Sequence, residues 1–310
     1  MMRKILLAGV ALCLAAGAAS AKDLKSIGIS LGSMGNPYFV ALTQGATAEA
    51  RKTNPNVKIT AIGYDYDLGK QFTQIDNFIA AGVDLILLNP GDPNAIEPAI
   101  KRAQAAGIPV VAVDTAAKGA DATVTTNNIQ AGAISCQYIV DKLGGKGNVL
   151  IINGPQVSAI VDRVVGCKAV FAKAPGINIL SADQDAHGSR DGGLAVTQGL
   201  LTRFTHVDAI FAVNDPTGIG ASLAVKQLNR PNIFVTSVDG APDIEVALKD
   251  KSSAIQASSS QDPYIMAALA VREGMDLLNG KKPAKDPLLM DSKLVTRDNV
   301  ADYKGWQAVR

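Results

Sequence analysis

Eight polar residues recur where apolar runs of the chain stop: Asn36, Asn89, Asp114, Asn127, Asn153, Asn214, Asp239 and Gln261. Most stand beside Gly or Pro. Singly, such residues are ordinary turn and cap chemistry. Their repetition in both halves of the sequence points to more. Amides both donate and accept hydrogen bonds, and a carboxylate accepts two or more. Gathered at one edge, they suit a ligand with many hydroxyl groups, each both donor and acceptor.

The elements that position these residues alternate regularly. The apolar run 27–31 leads through Gly32-Ser33-Met34-Gly35 to Asn36-Pro37-Tyr38-Phe39 and a helical pattern. Asn36 reads as an N-cap and Pro37 as the first helical residue, where its missing N–H costs nothing. Further strands are predicted over 57–62, 84–88, 109–113, 122–125, 148–152, 178–182, 209–213, 233–238 and 254–259, and a last extended segment over 288–295. Helices are predicted over 68–81, 93–106, 130–143, 158–174, 190–204, 216–229, 243–249 and 264–278, and a turn over 144–147. Near-continuous apolar strands separated by helices indicate parallel sheets covered on both faces. The fold class is α/β, as two doubly wound lobes, and open sheets of this kind bind ligands at their strand carboxyl ends.

Composition narrows the function. The chain opens with Met1-Met2-Arg3-Lys4, an apolar run over 5–16 and Ala19-Ser20-Ala21. A basic start, a short apolar stretch and an A-x-A site form an export signal, cleaved after about Ala21. Cys13 follows Leu12, which is too bulky for a lipoprotein site. The formal net charge of +2, with both signs interspersed, gives no nucleic-acid footprint. Cys136 and Cys167 remain after cleavage; an oxidising compartment would allow a bridge, and two buried free thiols on separate helices is the alternative.

Several motifs are set aside. Gly28-Ile29-Ser30-Leu31-Gly32 matches G-x-S-x-G, but Ser30 falls within the strand rather than on the turn a nucleophile needs. Gly32 and Gly35, with Asp65 after the second strand, lack the third glycine of a dinucleotide site. His187, His206 and the cysteines show no ligand spacing, so no metal or cofactor is expected. His187 sits at a strand end, where it could touch a ligand.

With these residues in place, the chain resembles periplasmic sugar-binding proteins of the ribose-binding type, the substrate receptors of ABC importers. The resemblance spans essentially the whole mature chain. It rests on Asn36-Pro37-Tyr38-Phe39 with Gly45, Leu88-Asn89-Pro90, Val113-Asp114, Arg163 with Gly166, Phe211 to Asp215, Val238-Asp239-Gly240 and Gln261-Asp262-Pro263. It implies two lobes, residues 22–126 plus 262–290 and residues 127–261 plus 291–310, joined by three crossings near Thr126, Gln261 and Met290. Asn36, Tyr38, Phe39, Asn89 and Asp114 would line the first lobe. Arg163, Asn214, Asp239 and Gln261 would line the second lobe and hinge, although Arg163 could instead pair within its own lobe.

The resemblance further implies a periplasmic monomer without enzymatic activity that hands a pentose, hexose or polyol to a membrane permease, with a chemoreceptor as a further candidate partner. Two departures unsettle ribose itself. Thr115 stands where ribose receptors have an arginine, and Ala186-His187-Gly188 where they have an aromatic. Tyr64 and Tyr66 could supply replacement surface, and Thr115, Thr126 and His187 are secondary candidates. The alternative ligand is a signalling furanose or a nucleoside. A nucleoside would want a wide aromatic slot, whereas Trp306, the one tryptophan, lies in the tail.

Overall fold

A computed structural model describes residues 23–306; the expected export signal lies outside the described residues. Two six-stranded sheets form the frame. The first contains β1 (Ser26–Leu31), β2 (Lys58–Gly63), β3 (Leu85–Leu88), β4 (Val110–Val113), β5 (Ala122–Thr126) and β11 (Leu288–Met290). The second contains β6 (Lys146–Ile152), β7 (Gly176–Ser181), β8 (Ala209–Ala212), β9 (Phe234–Asp239), β10 (Ile255–Ser260) and β12 (Leu294–Thr296). Their orders correspond: β11-β5-β4-β3-β1-β2 and β12-β10-β9-β8-β6-β7. Pairing is parallel except for β12, which runs antiparallel to β10.

Each sheet is wrapped by helices: α1 (Pro37–Thr53), α2 (Leu68–Ala80), α3 (Glu97–Ala105) and α9 (Pro263–Leu278) on the first, α4 (Asn128–Lys142), α5 (Ser158–Phe171), α6 (Arg190–Arg203), α7 (Asp215–Gln227) and α8 (Pro242–Lys249) on the second. The strand pleat explains the continuous apolar runs. Leu85 and Leu87 of β3 enter one core, and Ile86 and Leu88 enter the core on the opposite face. Phe211 and Ile210 of β8 divide in the same way. A strand buried on both sides has no polar face to show.

The chain passes between the sheets three times: from β5 into α4, from β10 into α9, and from β11 to β12. The extended segment over 288–295 is therefore two short strands, one in each sheet, broken at Asp291–Lys293 because each half pairs with a different partner. The helix expected from residue 93 starts at Glu97 instead. The Asp92 carboxylate accepts the N–H groups of Asn94 (2.8 Å) and Ala95 (2.7 Å), a local turn that competes with helix. Within the predicted turn over 144–147, Lys146 already begins β6.

Close helix crossings fix the elements that carry the site. At Gly132 of α4 a Cβ would collide with the Arg163 carbonyl, and at Gly166 of α5 one would collide with the Ile129 carbonyl. The two helices pack backbone to backbone there, which sets the position of Arg163. Cys136 and Cys167, both fully buried, tie the same pair with a disulfide, Cα atoms 5.1 Å apart. The bridge closes a sequence separation of 31 residues. Loop-closure entropy for that length implies about 3–4 kcal/mol of stabilisation. The Cys136→Ala/Cys167→Ala pair should therefore lower the urea midpoint by the equivalent of about 3 kcal/mol; an unchanged midpoint would show that the bridge carries no stability.

Candidate functional site

In both sheets the strand order, not the strand direction, reverses beside the first strand of the lobe, and crevices open at that point. In the first lobe the residues emerging there are Asn36 after β1 and Asn89 after β3, with Asp114 after the neighbouring β4. In the second they are Pro155 beyond β6 and Asn214 beyond β8, with Asp239 ending β9. The two sets face each other across one interlobe cavity. It is lined by Asn36, Tyr38, Phe39, Tyr66, Asn89, Asp114 and Thr115 on one side, by Pro155, Val157, Ala159, Ile160, Arg163, Gly188, Asn214 and Asp239 on the other, and by Gln261 at the hinge.

Backbone geometry presents the two carboxylates. Asp114 has φ +71° and Asp239 φ +143°, conformations that L-residues adopt at a cost. Asp114 is held by its N–H to the Val124 carbonyl (2.9 Å) and by the Thr125 hydroxyl on its own carbonyl. The Asp239 carbonyl accepts the Gln261 N–H at 2.8 Å. Asp65, Tyr66 and His187, around the cleft mouth, also have positive φ. Strain of this kind concentrates where a surrounding frame over-determines the backbone.

The side chains form two linked networks. On the first wall Asn89 donates to the Asp114 carboxylate (2.8 Å) and to the Thr115 hydroxyl (2.9 Å). On the second, Arg163 donates to Asn128 Oδ1 (2.9 Å), the Val213 carbonyl (2.9 Å) and Asp239 Oδ1 (3.3 Å). Gln261 Nε2 donates to the same Asp239 oxygen at 2.6 Å, and Thr126 Oγ1 donates to Gln261 Oε1 at 2.6 Å. Arg163 thus both pairs within its lobe and lines the cavity. Asn36 and Asn214 each cap a helix, accepting from Tyr38 N (3.0 Å) and Thr217 N (3.1 Å). Asn214 Nδ2 donates to the Gly188 carbonyl at 2.9 Å.

Burial dominates the electrostatics. It pushes the Asp114 carboxyl up, against the pull of the Arg163 charge and of hydrogen bonds from Tyr38 and Asn89. It pushes Asp239 up to about 6, with Arg163 again opposing. Asp215, buried beneath Asp239, is raised well above the carboxylate range by burial and by its acidic neighbour. Three carboxylates thus share this region, with Arg163 as the cation lining the cavity. Among the described residues there is no His, Cys, Asp and Glu cluster able to hold a metal.

Other expected residues sit elsewhere. Tyr64 is fully buried behind the lining, against Gly91 and edge-on to Tyr66 (5.9 Å between ring centres), so Tyr66 alone of the pair reaches the cavity. Thr126 supports Gln261 from behind. The exposed His187 lines an outer chamber of about 530 Å³ at the mouth. Asn127 caps α4, and Asn153 turns back to the Ala182 carbonyl; neither lines the cavity. The apolar patch of Val157, Ala159 and Ile160 was not anticipated, because a short apolar run after a turn reads as core.

Two α/β lobes with polar strand ends meeting in a shared cleft define a bilobal solute-binding protein. Sequence comparison agrees: residues 27–282 match the periplasmic binding protein domain, and the chain belongs to that family. It is 33% identical to the ribose import binding protein of Bacillus subtilis over 84% of each chain. It is 30% identical to a xylitol-binding protein of Mycolicibacterium smegmatis, over 94% of this chain and 83% of the other. An ABC transporter periplasmic solute-binding protein of Actinobacillus succinogenes, solved with D-allose, superposes with a TM-score of 0.82 at 26% identity, covering 90% of this chain and all of that one. These relatives are binding proteins, not enzymes.

The raised Asp239 gives a pH dependence. A folded-state pKa above the unfolded value makes its contribution greatest at low pH, and it is lost as pH rises through about 6. Asp114 and Asp215 act in the same direction. From pH 4.5 to 7.5, the melting midpoint of Asp239→Asn should gain progressively on that of the unaltered protein. Parallel profiles would show that Asp239 keeps an ordinary carboxylate pKa.

Proposed function

We propose that the chain is an exported receptor that binds a monosaccharide or polyol between its lobes and delivers it to an ABC import permease by hinge closure, without chemistry or cofactor. The observation that carries this reading is the pair Asp114 and Asp239, held on opposite walls among neutral amides. Carboxylates accept strong charge-assisted bonds from hydroxyls, and Arg163 offers a planar donor fork. Tyr38, Phe39 and Tyr66 add ring surface for the C–H side of a sugar. The names of the relatives, ribose and xylitol among them, belong to the same chemical class.

The size of the cavity supports the closure reading. Its free volume is about 40 Å³, against ~300–1000 Å³ for typical small-molecule sites. The lobes already touch where Ser158 Oγ accepts the Ala116 N–H at 2.7 Å. A ligand therefore enters only when the lobes part, and binding favours whichever arrangement satisfies more of its hydroxyls. A wrong epimer leaves a buried group unpaired at about 1–3 kcal/mol. The lobes proposed are residues 22–126 plus 262–290 and 127–261 plus 291–310, in a mature monomer beginning after Ala21 in the periplasm. Thr115 and the stretch Ala186-His187-Gly188, of which Gly188 lines the cavity, lack, respectively, a charged donor and a ring that the resemblance to ribose receptors would supply. That change leaves room for pentoses, hexoses and polyols.

Thermal melting against a panel of pentoses, hexoses and polyols tests this reading. A true ligand at a hundred times its Kd adds about 2.7 kcal/mol, and Asp114→Ala should abolish that gain while leaving the protein folded. Silence across the panel would contradict the sugar assignment.

A further inference from the structure

The segment after β12 carries two aromatic residues fixed to different lobes. Tyr303 packs on a core of the second lobe, and its hydroxyl donates to the Gly240 carbonyl at 2.9 Å, next to Asp239. Trp306, three positions on, belongs to a core of the first lobe and is 7% exposed. Its ring stands edge-on to Tyr38, 5.6 Å between centres and 76° between planes, and Tyr38 stands edge-on to Phe39 at 5.4 Å. Its indole N–H donates to the Gln261 carbonyl at 3.0 Å. Trp306 does not line the inner cavity. It touches two residues of that cavity's lining: Tyr38, on the wall that carries Asp114, and Gln261 at the hinge, which donates to Asp239.

We propose that Trp306 is a positioning residue for the ligand site, and that the tail through Tyr303 and Trp306 is a fourth link between the lobes, holding the two carboxylate walls in register. Three features carry this. An indole buried among apolar groups must place its N–H, and here the partner is the backbone of a hinge residue. Edge-on ring pairs are directional, so the Trp306, Tyr38 and Phe39 stack transmits the seat of the tail to the first wall. Gln261 is fixed on three sides, by Thr126, Asp239 and Trp306, so releasing one frees a group that contacts the buried carboxylate. The proposal rests on the cleft being the binding site, but the seat of the tail can be tested without a ligand.

Trp306 is the single tryptophan of the chain, so its fluorescence reports on the tail alone. In the ligand-free protein its emission should be blue-shifted and poorly quenched by acrylamide; an exposed, freely quenched indole overturns the proposal even if every sugar is silent. With the sugar that gives the largest melting shift as probe, emission of the unaltered protein should change on saturation. Trp306→Leu should bind that sugar at least tenfold more weakly, and Trp306→Phe, which keeps the ring but not the N–H, should recover part of the loss. Unchanged emission on saturation, or full affinity in Trp306→Leu, rejects the positioning role. Failure of all sugars to shift the melt refutes the receptor reading instead, and the quenching result then decides the tail.

Discussion

Everything in this molecule answers to the cost of taking Asp114 and Asp239 out of water within one gap. A buried carboxylate is tolerated only when hydrogen-bonded or paired. Asp239 receives Arg163, Gln261 and the Asp215 N–H, whereas Asp114 receives Asn89. Even so, both remain shifted toward the protonated form, so their needs are only partly met from within the chain. Hydroxyl donors from a ligand would supply what the walls do not, and only while the lobes are together. Under the proposed function, affinity and closure are the same physical event.

The frame serves that event by duplication. Two sheets of equivalent strand order put their reversal points opposite one another, so each lobe offers an amide-capped helix start and a strained aspartate. Backbone contact at Gly132 and Gly166, reinforced by the Cys136–Cys167 bridge, makes the Arg163 helix pair rigid. Under the proposed function, rigidity within lobes would leave motion to the crossings at β5–α4, β10–α9 and β11–β12, beside which Thr126 and Gln261 hydrogen-bond. The tail aromatics add a connection the sheet topology does not require.

Much of this was legible in the sequence, because a strand buried on two faces writes a continuous apolar run and a following Asn or Asp marks where it ends. The nine main site candidates, from Asn36 to Gln261, do line one cavity. The pattern fixes where a strand ends but not which way the next side chain turns. Asn153 and Asn127 face their own lobe, and Tyr66 rather than Tyr64 reaches the cavity, because positive φ at Asp65 and Tyr66 turns the chain there. The disulfide was undecidable because it depends on how closely two helices cross, which Gly132 and Gly166 determine from a distance in sequence. The role of Trp306 was invisible for a similar reason: its partners Tyr38 and Gln261 lie 268 and 45 positions away.

The central claim is that the site exists only when both lobes meet around the ligand. Small-angle X-ray scattering of the protein, first ligand-free and then saturated with the sugar that stabilises it most, addresses this directly. The account predicts a smaller radius of gyration on saturation, reaching the value calculated for the closed arrangement described here. Superimposable scattering curves from the two samples, with binding demonstrated in the same solution, would contradict it.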